Sequence, residues 1–495
     1  MFTSPTVDVC LILEGTYPYV PGGVSAWTHE LIQKHSDLTF HIVSILPRDD
    51  EPKLCYDLPP NVTGVTKIHL QRLPEGGDLP RAEKRKLFAE LRAPLIRLTT
   101  GTASLSDFRQ MMDAVAPYHG RIGEKVMLNS EEAWALTTNM YEASFAESSM
   151  LDYFWSWRAV LGGLYSLMIA ELPAAKCYHA MSTGYAGMMA ARAKVETGRP
   201  VILTEHGIYT NERRIEIASA DWLEETASKA MTIDQTRLNL RDLWNQTFGN
   251  YSRICYQATD HIITLFGGNQ QAQLADGADS NKMRVIPNGI DMERYGSITR
   301  KSHSRPTVAM IGRVVPIKDV KSFLRAIATL NQSVADLRVF IMGPMDEDPD
   351  YVEECRSLVD YFALSKVVSF TGRVDVTQYL PEIDVLVFSS ISEAQPLSIL
   401  EAGACGIPTV ATDVGACREM LLGKAEESPA LGDGGIVVPL SNPKALAEGI
   451  FKLLTDNEFY KRCSTAARNR VARYYNKDDQ HSAYHRLYAA CMGND

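Results

Sequence analysis

The stretch DVLVFSSISEAQPLSILEAG, residues 384–403, joins a short apolar run to a polar loop and the start of a helix. Pro396 suits the first position of that helix, because its missing N–H would have no intrahelical partner there anyway. A strand that leads into a helix indicates a βα unit, and open parallel sheets bind ligands at the carboxyl ends of their strands. The loop therefore predicts a binding site that includes Glu393 and Glu401, although spacing alone favours solvated or capping glutamates.

The same alternation of short apolar runs and longer helical patterns recurs along most of the chain, which is typical of α/β proteins with parallel sheets. The alternation fails between about residues 76 and 175, where a charged and aromatic stretch predicts a helical insertion in the first domain. The predicted strands span residues 7–13, 40–46, 66–72, 201–205, 261–265, 307–312, 337–342, 367–370, 384–389, 408–411 and 435–438.

The chain length predicts more than one domain, because 495 residues exceed the roughly 250 to 300 at which a single core stops growing. A turn at residues 287–289 and a polar, basic segment at 297–306 mark the boundary. We expect domains at residues 1–290 and 291–475, with a C-terminal helix at 476–495 that packs back on the first domain.

Composition limits the partners and the location. The 50 basic and 60 acidic residues give a formal charge of -10, so the overall field does not attract nucleic acid. Nine scattered cysteines without a Cys-x-x-Cys pair indicate reduced thiols in a cytoplasmic protein. The N-terminus lacks the pattern of a signal peptide, and the apolar run at 159–170 is well short of the roughly 20 residues that span a bilayer. If the protein meets a membrane, we expect it there only as a peripheral partner.

Two cations follow another predicted strand. Arg313 and Lys318 lie in the loop after Gly312, and a helix pattern begins at about Val320. The guanidinium of Arg313 can bind two phosphate oxygens, and the ammonium of Lys318 supplies a point charge. Taken with Glu393 and Glu401, these cations favour a diphosphate ligand over a chance pair of surface charges.

The first domain offers weaker candidates. Gly22 and Gly23 lie where a helix begins, so that a phosphate can approach free backbone N–H groups, but most Gly-Gly pairs are only turns. The dinucleotide and P-loop glycine motifs are both absent from the sequence. His179 and His206 follow strand-like segments, and either can be a core histidine. His206 is the better site candidate, because Gly207 and polar residues follow it.

These motifs together resemble the retaining GT-B enzymes of glycosyltransferase family 4, over almost the whole chain. Residues 8–31 and 204–214 are more particularly similar to the cytosolic glycosyltransferases of Pel exopolysaccharide systems. The resemblance implies a GT-B fold, in which two Rossmann-like domains with parallel sheets face each other across a cleft. The motifs that carry it are Gly312-Arg313 with Lys318, Glu393-x7-Glu401, Pro287-Asn288-Gly289 and Gly22-Gly23.

The resemblance also implies roles for individual residues. Arg313 and Lys318 would bind the donor diphosphate, and Glu401 would bind the ribose hydroxyls. Glu393 would bind the transferred sugar, and His206 would lie near it. The remaining implied contacts are Gly22 and Gly23 on the phosphate, Ala394, Gln395, Pro396, Leu397 and Ser398 on the sugar and phosphates, and His179, Tyr209 and Arg213 on the acceptor side.

The implied activity is transfer of a hexosyl unit from a UDP-sugar to a growing exopolysaccharide, with docking to inner-membrane components of the synthase. We expect no metal or other cofactor, because the cations and helix N-termini can stabilise the leaving diphosphate. The acidic loop at 346–350 is interpreted as solvated. Two alternatives stay open, a non-catalytic nucleotide-sugar-binding subunit and a GT-B-like UDP-sugar 2-epimerase. The sequence does not choose between glucose and an N-acetylhexosamine.

Overall fold

The computed structural model describes residues 6–47, 52–218, 239–301, 305–424 and 427–493. These residues fall into two compact units. The N-terminal unit lies within Met1–Thr264, Gln270–Arg284 and Tyr484–Asp495, and the C-terminal unit lies within Leu265–Asn269 and Val285–Ala483.

The N-terminal unit is built on a seven-stranded sheet of order β3-β2-β1-β4-β5-β6-β7, and its pairs from β3 to β6 are parallel. The strand order reverses between β1 and β4, which makes their carboxyl ends the switch point at which such sheets bind ligands. The strands are β1 (Val7–Glu14), β2 (Phe40–Leu46), β3 (Val62–His69), β4 (Ala175–Ala180), β5 (Val201–Glu205), β6 (His261–Thr264) and β7 (Met283–Val285).

Five helices lie between β3 and β4, as the charged, aromatic stretch predicted. Serine side chains cap two of them: Ser130 accepts from the N–H of Ala133, and Ser149 accepts from that of Asp152. The helices that begin before residue 280 are α1 (Gly23–Lys34), α2 (Arg81–Thr99), α3 (Leu105–Val115), α4 (Glu124–Met127), α5 (Glu131–Ser144), α6 (Met150–Ile169), α7 (Tyr185–Thr197), α8 (Tyr209–Ala218), α9 (Leu240–Ala258) and α10 (Gly267–Ala275).

The C-terminal unit contains a six-stranded, fully parallel sheet of order β10-β9-β8-β11-β12-β13. Its switch point lies between β8 and β11. Every residue of β11 is buried, as expected for a parallel strand covered on both faces. The strands are β8 (Thr307–Ile311), β9 (Arg338–Met342), β10 (Val368–Gly372), β11 (Val385–Phe388), β12 (Thr409–Thr412) and β13 (Gly435–Val438).

The helices of the second half alternate with these strands and then continue past β13. None of the helices in the described ranges combines the length and the apolarity needed to cross a membrane. They are α11 (Met292–Gly296), α12 (Val320–Leu330), α13 (Pro349–Tyr361), α14 (Leu397–Ala404), α15 (Cys417–Leu422), α16 (Pro443–Thr455), α17 (Asn457–Tyr474) and α18 (Lys477–Met492).

Two parallel-sheet α/β units with a helical insertion in the first confirm the predicted fold class. The strands β4 and β7 are missing from the sequence-based list, and β3 begins four residues before its predicted start. The sequence AKCYHA of β4 has no β-branched residue, and β7 has only three residues, so neither carries a strong strand pattern.

Candidate active site

The predicted cation and glutamate meet at the switch point of the C-terminal unit. Lys318 follows β8, Glu393 follows β11, and the Lys318 ammonium forms a close ion pair with Oε1 of Glu393. Their side chains are only 14% and 21% exposed. The ammonium also lies 5.5 Å from the centre of the Phe388 ring. The structure therefore brings together two residues that are 75 positions apart in the sequence.

Local backbone structure holds Lys318 in this position. Pro316–Lys318 form one turn of 3-10 helix, and Asp319 adopts a left-handed conformation with φ 46°. The Asp319 side chain then caps α12 by accepting from the N–H of Ser322. The hydroxyl of Ser389, at the end of β11, donates to the Lys318 carbonyl at 2.9 Å. The loops after β8 and β11 are thus joined directly.

Arg313 has a different partner. Its Nη1 donates to both carboxylate oxygens of Glu347, at 2.5 and 2.8 Å, and both side chains are about half exposed. Glu347 belongs to the acidic loop interpreted as solvated, and Asp348 of the same loop caps α13. The loop therefore supplies an ion pair and a helix cap. In the described ranges, no group of three or more His, Cys, Asp or Glu side chains is arranged to hold a metal ion.

Glu401 lies in α14, which begins directly after Pro396. Its Oε1 accepts a hydrogen bond of 2.9 Å from the hydroxyl of Tyr295. Burial raises the pKa of the Glu401 carboxyl, while the Tyr295 hydrogen bond acts in the opposite direction. The carboxylate retains a second oxygen with which to accept from a ligand hydroxyl.

Buried polar atoms near the start of α14 lack partners. The N–H of Asn288 donates to Oε1 of Gln395 at 2.7 Å. Gln395 Nε2, Asn288 Oδ1 and the hydroxyl of Ser390 are buried and have no hydrogen-bond partner among the described residues. Buried groups of this kind usually find a partner.

A close backbone approach fixes the loop that carries Glu393 and Ala394. The N–H of Ala416 donates to the Ala394 carbonyl at 2.7 Å. Gly415 has φ +50°, and a Cβ there would lie 2.2 Å from the Glu393 carbonyl oxygen and 2.3 Å from that of Ala394. Only glycine fits this position, both for its backbone conformation and for its contacts.

The glycine pair of the N-terminal unit lies at the start of α1. Gly22 and Gly23 are exposed, and a Cβ built on either would have no heavy atom within 4 Å. The helix begins at Gly23, as predicted, and a contact of these glycines with phosphate stays a prediction.

The two predicted histidines differ in their surroundings. His206 Nε2 is buried without a hydrogen-bond partner, the Trp27 indole packs edge-on at 4.8 Å, and burial lowers the His206 pKa to about 4. His179 is fully buried, with Nδ1 2.7 Å from the Tyr488 hydroxyl and Nε2 2.8 Å from that of Thr204. Burial lowers its pKa to about 3. These contacts occupy both ring nitrogens of His179, whereas His206 keeps one available.

Tyr209 and Arg213 surround a residue that the sequence reasoning missed, Glu14 at the end of β1. Its carboxylate accepts from the Tyr209 hydroxyl at 2.9 Å and from the backbone N–H of Tyr185 at 2.8 Å. Arg213 Nη2 lies 3.4 Å from the same carboxylate. Burial raises the pKa of Glu14, and Arg213 opposes that shift. The sequence could have identified Glu14 as a candidate, because it is an acidic residue at the end of the first predicted strand.

Solved structures share the architecture of both units. Sucrose-phosphate synthase from Thermosynechococcus elongatus aligns with a TM-score of 0.59 at 16% identity, over 98% of this chain and all of the other. Anabaena HepE, solved in complex with UDP, aligns with a TM-score of 0.56 at 14% identity, over 97% and 99% of the two chains. The chain therefore has the fold of the GT-B glycosyltransferases.

The curated relatives match this chain over only part of their own length. The D-inositol 3-phosphate glycosyltransferase of Corynebacterium urealyticum is 27% identical over 282 residues, which cover 48% of this chain and 64% of that protein. The N,N'-diacetylbacillosaminyl-diphospho-undecaprenol alpha-1,3-N-acetylgalactosaminyltransferase of Campylobacter jejuni is 29% identical over 220 residues, covering 42% and 54%. The chain thus spans between half and two thirds of the length of these relatives.

Sequence models of two protein families match the two parts of the chain. The domain of unknown function DUF3492 matches residues 7–281, and the glycosyl transferases group 1 model matches residues 305–456. The chain belongs to the DUF3492 family, and its C-terminal unit is a glycosyl transferases group 1 domain. These matches confirm the resemblance to group 1 glycosyltransferases with a GT-B fold.

Proposed function

We propose that this protein transfers a hexosyl unit from a UDP-sugar to a growing exopolysaccharide of the Pel type, with retention of anomeric configuration. The observation that carries the proposal is the Lys318–Glu393 ion pair at the switch point of a group 1 domain. Glu401 and the unpartnered atoms of Gln395 and Ser390 belong to the loop and helix that follow the same strand.

Each part of the donor has a matching group in the C-terminal unit. Lys318 and Arg313 can exchange their ion pairs with Glu393 and Glu347 for contacts with the diphosphate. The first N–H groups of α14, at Leu397 and Ser398, favour the same anion. Glu401 can accept from the ribose diol, and Glu393 from a sugar hydroxyl. HepE, a structural neighbour, has been solved with UDP and with UDP-glucose, which supports this kind of donor.

The proposed reaction needs little from a general base. The acceptor hydroxyl oxygen forms a bond to the anomeric carbon as the bond from that carbon to the diphosphate oxygen breaks on the same face. The departing phosphate oxygen takes the hydroxyl proton. Negative charge grows on the diphosphate, and fixed cations stabilise it in the transition state without a required metal ion. His206, whose lowered pKa keeps it neutral at pH 7, would act as a hydrogen-bonding group toward the sugar.

The nature of the acceptor rests on the Pel resemblance and on the relatives. The matched Campylobacter jejuni enzyme is named as acting on a diphospho-undecaprenol-linked sugar, which supports a glycan acceptor made at a membrane. Peripheral docking to inner-membrane components of the synthase is part of the proposal. The same relative is an N-acetylgalactosaminyltransferase, whereas HepE was solved with UDP-glucose, so both donor classes belong in the test.

The test measures UDP release and glycan transfer by the purified chain, with UDP-glucose and UDP-N-acetylhexosamines, with and without EDTA. Lys318→Ala should reduce turnover by about 10²- to 10³-fold, the usual loss for one group that stabilises transition-state charge. Lys321→Ala is the matched control, because Lys321 lies three residues further on, in α12, and pairs with Glu354 instead.

Each outcome separates the alternatives. Wild-type turnover in both Lys318→Ala and Glu401→Ala refutes the proposed donor site, and loss of wild-type activity in EDTA refutes metal independence. Nucleotide binding without turnover of any donor indicates a non-catalytic binding subunit. Formation of an isomeric UDP-sugar without an acceptor indicates an epimerase.

A further inference from the structure

The end of α18 belongs to the N-terminal unit and packs against its sheet in a definite register. The Tyr484 hydroxyl lies 3.1 Å from that of Thr204 in β5, and the Tyr488 hydroxyl lies 2.7 Å from Nδ1 of His179 in β4. Helical residues three and four positions apart lie on the same face. Cys491, three positions after Tyr488, therefore faces the strands as well.

A second cysteine lies opposite Cys491 on the sheet. Cys177 is two residues before His179 in β4, so both side chains point to the same face of the sheet. The thiols of Cys177 and Cys491 are in hydrogen-bonding contact, and the imidazole of His261, at the start of β6, also hydrogen-bonds to Cys491. The registers of the helix and the strand thus bring together two thiols from distant parts of the chain.

The two thiols differ in access and in acidity. Cys177 is fully buried, whereas Cys491 is partly exposed. The hydrogen bond from Cys177, helped by that from His261, lowers the pKa of Cys491, while burial and Asp260 oppose the shift. The same contact raises the pKa of Cys177. Because the thiolate is the reactive form of cysteine, a small oxidant reacts first at Cys491.

The position of Cys491 in the helix allows a covalent bond to Cys177. Both thiols are free, and Cys491 is the penultimate residue of α18, which ends at Met492. The carbonyl groups of a last helical turn have no intrahelical partners, so this turn can shift while the rest of the helix stays intact. An S–S bond of about 2.05 Å is shorter than the contact between two thiols, and the last turn can supply the small movement needed.

We propose that Cys491 and Cys177 are a peroxide-oxidisable thiol pair, whose disulfide fastens the end of α18 to β4. The Cys491 sulfur attacks one oxygen of hydrogen peroxide: an S–O bond forms, the O–O bond breaks, and the leaving hydroxide takes up the proton that the thiol released. The Cys177 sulfur then attacks the sulfenic acid, so that an S–S bond forms and the S–O bond breaks. The hydroxide leaving in this step takes the Cys177 proton.

The two steps balance. Two thiols lose two electrons and two protons, and one hydrogen peroxide becomes two water molecules. The oxidation uses none of the residues assigned to the donor, so it does not depend on the proposed transferase function.

The test treats the reduced full chain with hydrogen peroxide at pH 7, blocks the remaining thiols with iodoacetamide and maps tryptic peptides by mass spectrometry without reduction. Trypsin places Cys177 in peptide 177–192 and Cys491 in peptide 487–495, each with a single cysteine. The wild type should give these two peptides joined by a disulfide. Amide hydrogen exchange across 487–492 should then be slower in the oxidised protein than in the reduced one.

Variants separate the roles of the two thiols. Cys491→Ser should abolish the linked peptide. Cys177→Ala should also abolish it and leave a sulfenic acid on Cys491 that dimedone labels, because the second thiol is missing. Cys55→Ser is the matched control and should keep the wild-type linkage, since Cys55 is exposed and donates to the Tyr19 carbonyl. Before oxidation, iodoacetamide should alkylate Cys491 about tenfold faster than Cys55 at pH 7.

Several results would overturn the proposal. They are a wild type without the linked peptide, Cys491 linked instead to Cys55 or to a second chain, and linkage at the same rate in the urea-unfolded chain. Equal alkylation rates of Cys491 and Cys55 would refute Cys491 as the attacking thiol, and unchanged hydrogen exchange would refute the fastening of α18. If Cys177→Ala fails to fold, the wild type and Cys491→Ser still decide whether the pair forms.

Discussion

Replacing Gly415 by alanine tests how strongly the donor loop depends on one close backbone approach. The left-handed conformation at φ +50° costs an L-residue about 1 to 2 kcal/mol. The added Cβ would also lie 2.2 and 2.3 Å from the carbonyl oxygens of Glu393 and Ala394. Those atoms cannot remain in place, so the loop must move. We expect a loss of stability larger than the conformational cost alone, together with a higher KM for UDP-sugar.

Gly432→Ala supplies the matched control. Gly432 also has a positive φ, +82°, but a Cβ there meets no heavy atom within 4 Å. The Gly432→Ala substitution should lower the free energy of unfolding only by the conformational cost of about 1 to 2 kcal/mol. For domains of this size, 1 kcal/mol lowers Tm by about 2 to 4 °C, so the expected decrease is about 2 to 8 °C.

Differential scanning fluorimetry and steady-state kinetics on both variants make the comparison. Gly415→Ala should lower Tm further than Gly432→Ala, and it alone should raise the KM. Equal decreases in Tm with unchanged KM in both variants would show that the approach of Gly415 to Glu393 does not shape the site.

Three further predictions follow from buried polar contacts. Tyr295→Phe removes a hydrogen bond to Glu401, worth about 1.5 to 3 kcal/mol for a charged acceptor, and should weaken UDP binding in calorimetry; unchanged affinity would contradict the role of Glu401. Arg470→Met leaves Glu427 buried without its ion-pair partner and should cost about 3 to 5 kcal/mol in denaturant unfolding, whereas a loss under 1 kcal/mol would show that the pair is dispensable. Burial raises the pKa of Glu205 from 4.5 to about 7, so the folded protein retains a proton that the unfolded chain releases. Unfolding free energy should therefore fall as pH rises from about 4.5 to 7, and Glu205→Gln should flatten that slope in thermal melts; identical pH profiles would exclude the shift.

The sequence predicts the C-terminal unit well, because its strands are short apolar runs and its loops carry distinctive polar residues. Pro396 was predicted as the first residue of α14 and lies at its N-cap, one position before the helix begins, and the helix then carries Glu401. Sequence spacing could not show that Lys318 contacts Glu393 while Arg313 contacts Glu347, since each contact joins loops of separate βα units. Such partners depend on strand order, which local patterns do not encode.

The N-terminal unit shows a different gap between sequence and structure. Its β4 has little strand propensity and follows a long helical stretch, so it was not among the predicted strands. Without β4, the position of Glu14 beside the backbone of Tyr185 could not be anticipated. His206 and His179 look alike in the sequence, and only their surroundings distinguish a ring with an unpartnered nitrogen from one that is fully hydrogen-bonded.

The pairing of β1 with β4 has a consequence for folding. Glu14 and Tyr185 meet at the switch point although they are 171 positions apart in the sequence, and the five insertion helices lie within that interval. Bringing distant segments together loses chain entropy before stabilising contacts form. Non-local strand pairing therefore slows folding. Helices that have already formed shorten the effective loop. We therefore expect substitutions that destabilise α2 to α6 to slow the pairing of β1 with β4 during refolding.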